Sequence, residues 1–261
     1  MSSLFDLTGK VAIVTGSSRG IGRAIAERLA EHGAKVVVSS RKADACEPVA
    51  RAIAEKGGSA VVIPCNISYK EQLQNLVDKT TALWGGIDIL VCNAAVNPHF
   101  GASASIPDEA FDKIMGSNVR SNFWLTNMVC GQMAERGGGS IIIISSIGGL
   151  LGSSTLATYG LSKAADMQMA RNIAVEWGHK KIRANCIAPG LVKTDFARAL
   201  WENPETLRKF TRDAPLLRMA EPDEIAGAAV FLAAPASGFM TGQTMNVDGG
   251  VTVKMPGGEV E

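Results

Sequence analysis

The sequence has almost no excess of charge: 26 lysines and arginines face 25 aspartates and glutamates, a formal net charge of +1. So balanced a chain builds no broad field for nucleic acid or an anionic membrane, and neither partner is expected. Only local cations remain to hold a phosphate. Histidine is scarce, with three in 261 residues, and the five cysteines (46, 65, 92, 130 and 186) include no C-x-x-C pair. No His/Cys cluster has metal-ligand spacing, so no metal is expected. The cysteines read as small buried residues of a reducing compartment. No apolar stretch approaches the roughly 20 residues that span a bilayer. The opening MSSLFDLTGK lacks a basic region followed by an apolar run, and the closing GGEVE is no peroxisomal address. These absences lead to the expectation of a cytoplasmic protein.

Ordinary globular material is present instead, 46% apolar and 20% charged, enough to fill the core of one domain over residues 1–261. Apolar strand-like runs occur at 11–14, 35–39, 60–63, 87–91, 141–144, 182–187 and 244–247. Helical patterns separate them near 21–33, 43–56, 68–84, 107–135, 155–178 and 221–233. The strands show no polar alternation, which calls for helices on both faces of a parallel sheet. The expected fold is a Rossmann-type, doubly wound α/β domain with seven strands. Residues 191–220 differ: Pro204, Pro215, mixed charges and short helical pieces suggest an insertion that serves as a lid.

The first strand runs into Thr15-Gly16-Ser17-Ser18-Arg19-Gly20-Ile21-Gly22 and then a helix. Gly16 permits a tight turn, Gly20 lets a pyrophosphate approach backbone N–H groups, and Gly22 lets helix and strand pack closely. The helix N-terminus adds unpaired donors and partial positive charge. The second strand ends in Ser39-Ser40-Arg41-Lys42, without the carboxylate that anchors the ribose of NAD. Ser40 and Arg41, with Lys42 beside them and Arg19 opposite, suit a 2′-phosphate, so NADP(H) is expected over NAD(H).

Tyr159 and Lys163 lie four apart on one helix face. A phenol has a reference pKa near 10, which a neighbouring ammonium lowers, so the pair can act as general acid or base. Ser146 follows the Ile141–Ile144 strand, where parallel strands border the ligand crevice, and is placed to donate to a substrate oxygen. Taken singly each residue is ordinary. Their order behind a glycine-rich loop is what makes chance a poor explanation.

With these motifs the chain resembles the short-chain dehydrogenase/reductase family from about residue 8 to about residue 252. TGSSRGIG, Cys92-Asn93-Ala94-Ala95, Asn118, Ser146, Tyr159, Lys163, Pro189-Gly190 and Val247-Asp248-Gly249-Gly250 carry the resemblance. It implies that Tyr159 exchanges the proton, Ser146 holds the substrate oxygen, and Lys163 holds the nicotinamide ribose and lowers the Tyr159 pKa. Asn118 would keep a water in line behind Lys163. Val192 and Thr194 would meet the carboxamide and Asn66 the adenine, with Ile67 also among the cofactor-binding residues. The family commonly has N-N-A-G where Ala95 ends the motif here, and Asp at the place of Asn66, which can still accept a hydrogen bond. VSSRK, NAAVNP, RGGGS and APGLVKT resemble one branch, the dehydrogenase/reductase family member 4 group of NADPH-dependent carbonyl reductases.

The segments after the strand ends, Asn97 to Phe100, Leu150 to Leu156 and Leu191 to Trp201, are expected to line the substrate pocket. Asn97, His99, Phe100, Leu150, Ser153, Phe196 and Trp201 are the candidates, and their apolar character suits a ketone or secondary alcohol. The helices over 107–135 and 155–178 are apolar on several sides, which points to a second subunit, and the resemblance implies a homotetramer, a dimer of dimers. A β-ketoacyl carrier-protein reductase would need a basic docking patch, and Arg120, Arg136 and Arg171 are a sparse one. A non-catalytic dinucleotide sensor would not need the full Asn/Ser/Tyr/Lys set. Enoyl reductases of the family space Tyr and Lys more widely than four residues.

Overall fold

A computed structural model describes residues 4–254. Much of both termini read above for targeting signals (residues 1–3 and 255–261) lies outside the described residues. Seven strands form one sheet: β1 (Val11–Thr15), β2 (Lys35–Ser39), β3 (Ser59–Val62), β4 (Ile89–Cys92), β5 (Gly139–Ile144), β6 (Ile182–Pro189) and β7 (Thr244–Val247). Every pairing is parallel, in the order β3-β2-β1-β4-β5-β6-β7. The connections are α1 (Gly20–Glu31), α2 (Ala43–Glu55), α3 (Lys70–Trp84), α4 (Asp108–Met115), α5 (Ser121–Glu135), α6 (Ala157–Trp177), α7 (Arg198–Trp201), α8 (Pro204–Asp213) and α9 (Pro222–Ala233).

The unalternating strands have the physical reason expected of them. Successive residues point to opposite faces, and both faces are covered. Ala12, Val36 and Ile142 enter one core with α1, α2 and α9, while Ile13, Val37 and Ile141 enter the other with α3, α5 and α6. The five cysteines are free and buried. Burial pushes the Cys65 thiol up to about 11 and the Cys130 thiol up to about 12, which keeps them protonated.

The single helical pattern read over 107–135 is in fact broken. A π-helical turn, Gly116–Arg120, separates α4 from α5. Such widened turns aim a side chain that a regular helix would carry past, and this one carries Asn118. The 191–220 insertion holds a 3₁₀ turn (Asp195–Ala197), α7 and α8. It returns to its own base through a bridge between Val192 and Ala220.

Candidate active site

The loops after β1 and β4 part where the strand order reverses, which opens a crevice at the carboxyl ends of the strands. A cavity of about 890 Å³ runs from the glycine-rich loop past the end of β2 to Tyr159 and the 191–220 segment. Its near end is a backbone cradle. A Cβ on Gly22 would stand 2.4 Å from Asn93 Nδ2 and 2.5 Å from the Gly16 oxygen, so the chain packs this tightly only with glycine there. Gly16 and Gly20 hold φ of +66° and +56°. Among the described residues no side chain caps the start of α1, and its first turn has no acid, so its N–H donors and positive end suit an anionic ligand.

Thr15 fixes the cradle, and nothing in the sequence singled it out. Its Oγ1 accepts from the N–H of Asn93 at 3.0 Å and of Ala94 at 3.1 Å, and donates to the Val91 oxygen at 3.3 Å. Asn93 Nδ2 donates back to the Thr15 oxygen at 2.9 Å and the Gly16 oxygen at 3.1 Å. The Asn93 side chain therefore clamps the loop, while Ala94 and Ala95 also border the cavity.

At the end of β2, Ser18 Oγ donates to Ser40 Oγ at 3.3 Å, and Arg41 borders the cavity while exposed to solvent. Lys42 stands outside the cavity wall. Arg19 is not a free second cation: it pairs with Asp195 of the 191–220 segment at 3.2 Å, and Asp195 also pairs with Arg198. Asn66 and Ile67 lie on the wall, with Asn66 Oδ1 accepting from the Ser68 N–H at 3.2 Å. Pro189, Gly190, Val192 and Thr194 form the wall opposite.

The candidates Ser146, Tyr159 and Lys163 come together where β5 meets α6. Ser145 Oγ donates to the Lys163 oxygen at 2.8 Å, tying the strand end to the helix. A Cβ on Gly149 would meet the Lys163 carbonyl carbon at 2.7 Å, so the turn after Ser146 lies backbone to backbone against α6. The Gly148 N–H donates to Ser146 Oγ at 3.0 Å. A Cβ on Gly148 would lie 3.4 Å from Ser146 Oγ and 4.0 Å from Tyr159 Cδ1, which puts the two side chains around one spot. Lys163 Nζ is 5.7 Å from the centre of the Tyr159 ring.

Lys163 is only 2% exposed, and its Nζ donates to the Ile144 oxygen at 2.8 Å and to Asp166 Oδ2 at 3.1 Å. Burial opposes the ammonium, but the Asp166 carboxylate and Tyr159 outweigh it and hold the Lys163 pKa above its usual value. Lys163 is thus a fixed positive charge. Asn118 is fully buried in the π turn: Oδ1 accepts from the Val96 N–H at 2.9 Å, and Nδ2 donates to the Val96 oxygen at 3.0 Å and Ser162 Oγ at 3.1 Å. Its own carbonyl accepts from Asn122 Nδ2 at 2.7 Å.

Of the pocket candidates, Asn97, Phe100, Ser153 and Phe196 border the cavity. His99, Leu150 and Trp201 do not. His99 Nε2 lies 3.4 Å from Ser105 Oγ, Leu150 is exposed, and Trp201 Nε1 donates to the Thr194 oxygen at 2.9 Å. Their neighbours Leu151 and, on α7, Leu200 border the cavity in the places expected of Leu150 and Trp201. The Phe196 ring reaches over Tyr159 with centres 6.2 Å apart. Asp166 and Asn122 were missed as well. The available signal was an acid three positions after Lys163, on the same helix face.

A doubly wound sheet with a glycine cradle at its switch point and a Tyr/Lys pair along the same crevice defines an oxidoreductase that uses a nicotinamide dinucleotide. The chain belongs to the short-chain dehydrogenase/reductase family. The family model described as enoyl-(acyl carrier protein) reductase matches residues 16–252. A cattle (Bos taurus) protein named dehydrogenase/reductase SDR family member 4 is 41% identical over 244 residues, 94% of this chain and 88% of the relative. The structure of a gluconate 5-dehydrogenase from Burkholderia cenocepacia, in complex with NADP and tartrate, superposes with a TM-score of 0.92 at 33% identity, covering 96% of this chain and 98% of that one. A 7α-hydroxysteroid dehydrogenase complexed with NADH and 7-oxo glycochenodeoxycholic acid gives a TM-score of 0.91 at 36% identity, with the same coverage of both chains.

Proposed function

We propose that the protein is a single-domain, NADP(H)-dependent carbonyl reductase or alcohol dehydrogenase, with the 191–220 insertion as its lid. The observation that carries this is the buried Lys163 charge beside Tyr159, at the far end of the cavity from the glycine cradle. When bound, the dinucleotide gives a hydride to the carbonyl carbon or takes one from the alcohol carbon. Ser146 Oγ donates a hydrogen bond to the substrate oxygen. In reduction Tyr159 delivers the proton to that oxygen as the carbon gains its hydride, and in oxidation it removes the proton. The Lys163 ammonium stabilises the phenolate left behind. Its third N–H is free to hold the nicotinamide ribose.

Ser40 and Arg41 at the end of β2, where no carboxylate stands, support the preference for a 2′-phosphate. Phe100, Leu151, Phe196, Leu200 and Phe210 on the cavity wall support an apolar ketone, diketone or aldehyde as substrate. Phe123 and Leu161, 56% and 60% exposed on α5 and α6, support a homotetramer, which light scattering from a monomer-sized particle would overturn. Five buried, unpaired cysteines support a cytoplasmic setting. Among the described residues no helix is long and apolar enough to cross a membrane.

The test follows the absorbance of the reduced nicotinamide, with NADPH and separately NADH, against ketones, diketones and aldehydes. The expected result is faster oxidation of NADPH, lost in Tyr159→Phe. Turnover only on acyl-carrier thioesters would replace this reading with a β-ketoacyl carrier-protein reductase. Tight NADPH binding without any turnover would replace it with a dinucleotide sensor.

A further inference from the structure

A carboxylate stands behind the lysine of the reaction centre, in a place water does not reach. Asp166 follows Lys163 by three residues on α6 and is 0% exposed. Its Oδ2 lies 3.1 Å from Lys163 Nζ, and its Oδ1 accepts from Asn122 Nδ2 at 3.0 Å. On a surface such an i,i+3 pair would matter little. In the interior, two charges persist only when they are paired and hydrogen-bonded, and both conditions are met here. The oxidoreductase reading above gives this carboxylate no task.

We propose that Asp166 is a positioning residue: the buried counterion of Lys163, which raises the proton affinity of the Tyr159/Lys163 pair and keeps the pair protonated to higher pH. This rests on the reading of Tyr159 as the acid/base group. The sign follows from charge alone. With Asp166 ionised, phenol, ammonium and carboxylate together are neutral, and losing a proton leaves a net negative centre. Without it the centre starts positive and becomes neutral. Removing the negative charge makes proton loss easier, whichever of Tyr159 or Lys163 gives the proton up.

The other ionisable groups around the pair do not disturb this balance. Among the described residues, β4 presents Cys92 and β6 presents Cys186, and burial pushes both thiols up, so they stay neutral. The π turn and α5 present the amides of Asn118 and Asn122, and β5 the Ile144 oxygen. Arg171 lies farther along α6, where it meets Gln168. The consequence is which protonation form is populated at a given pH. A protonated Tyr159 is the form that reduces a carbonyl, and Asp166 keeps that form populated to higher pH. Asp166 also takes one of the three Nζ hydrogens and the Ile144 oxygen a second, which aims the third at the cavity.

The chain has two tyrosines, and Tyr69 is exposed, so Tyr69→Phe leaves Tyr159 as the sole phenol. In that full-length background the ultraviolet absorbance of the phenolate is titrated for the parent, Asp166→Asn and Asp166→Glu. The pH profiles of kcat/KM are then recorded in both directions with NADP(H). Asp166→Asn is expected to move the titration and both profiles down by about one unit or more, the size of effect a neighbouring charge exerts. Asp166→Glu is expected to stay near the parent. If Asp166→Asn does not fold, Asn122→Leu weakens the ionised carboxylate and shifts the same quantities down by less. Lower activity or lower melting temperature with unmoved titration would reduce Asp166 to packing and overturn the proposal. An upward shift would do the same. Should Tyr159→Phe keep full activity, the acid/base reading fails, while the phenolate titration still decides whether Asp166 couples to Tyr159.

Discussion

Thr15→Val replaces a hydroxyl that holds the glycine cradle together and keeps the side chain's shape. Thr15 is 2% exposed and uses its full hydrogen-bonding capacity: two bonds accepted, from Asn93 and Ala94, and one donated, to Val91. Valine leaves two backbone N–H groups without an acceptor. Each unsatisfied buried group costs about 1–3 kcal/mol. Asn93 and Ala94 are half-buried, so water can serve them in part, and about 2–4 kcal/mol in total is the expected loss. Urea denaturation followed by tryptophan fluorescence reads that loss. The same loop forms the cofactor cradle, so NADPH affinity, measured by fluorescence titration, should fall about tenfold or more, equivalent to about 1.4 kcal/mol. Thr15→Ser keeps the hydroxyl and removes one methyl, which costs only about 0.8 kcal/mol. A valine variant within about 0.5 kcal/mol of the parent would refute the reasoning. So would a serine variant as damaged as the valine one, because the hydroxyl would then not be the cause.

Three further outcomes follow from the same geometry. Gly149→Ala drives a Cβ to 2.7 Å from the Lys163 carbonyl carbon, where neither backbone can yield cheaply; it should destabilise the protein by about 1–3 kcal/mol in thermal or urea unfolding and lower kcat by parting Ser146 from Tyr159. Arg41→Ala should reduce kcat/KM with NADPH about tenfold to a hundredfold and leave NADH little changed; equal losses with both would remove Arg41 from the 2′-phosphate. Phe196→Ala takes away the ring lying over Tyr159 and should raise KM for bulky apolar ketones more than for small ones, whereas an unchanged preference would remove Phe196 from the pocket.

Elements with a short-range cause could be read directly. The Ile141–Ile144 run is a strand because four β-branched residues suit an extended chain covered on both faces, and each sheet face takes its share of them. The glycine cradle was legible because its backbone conformation excludes side chains, and the Tyr159/Lys163 pair because one helical turn brings them together. The ends of β2 and β5 placed Arg41 and Ser146 for the same reason: position along a strand says which end of the sheet a residue occupies.

Other features had no local signature. The π turn at Gly116–Arg120 interrupts a stretch whose composition reads as one helix, and it is sustained by Asn118 reaching Val96, 22 residues away, and Ser162, 44 residues away. Arg19 reads as a free phosphate ligand until the lid brings Asp195 against it across 176 residues. Leu150, Trp201 and His99 belong to the right segments but do not border the cavity, because the rotation of a loop or a short helix is set by what it packs on. The fold, the order of the motifs and the choice of candidate groups were legible in the chain alone, since these rest on periodicity and backbone sterics within a few residues. Only the tertiary structure decided the environment of those groups: the hydroxyl of Thr15 behind the cradle and the buried Asp166 behind Lys163, because burial and partnership belong to segments that meet only once the sheet has closed.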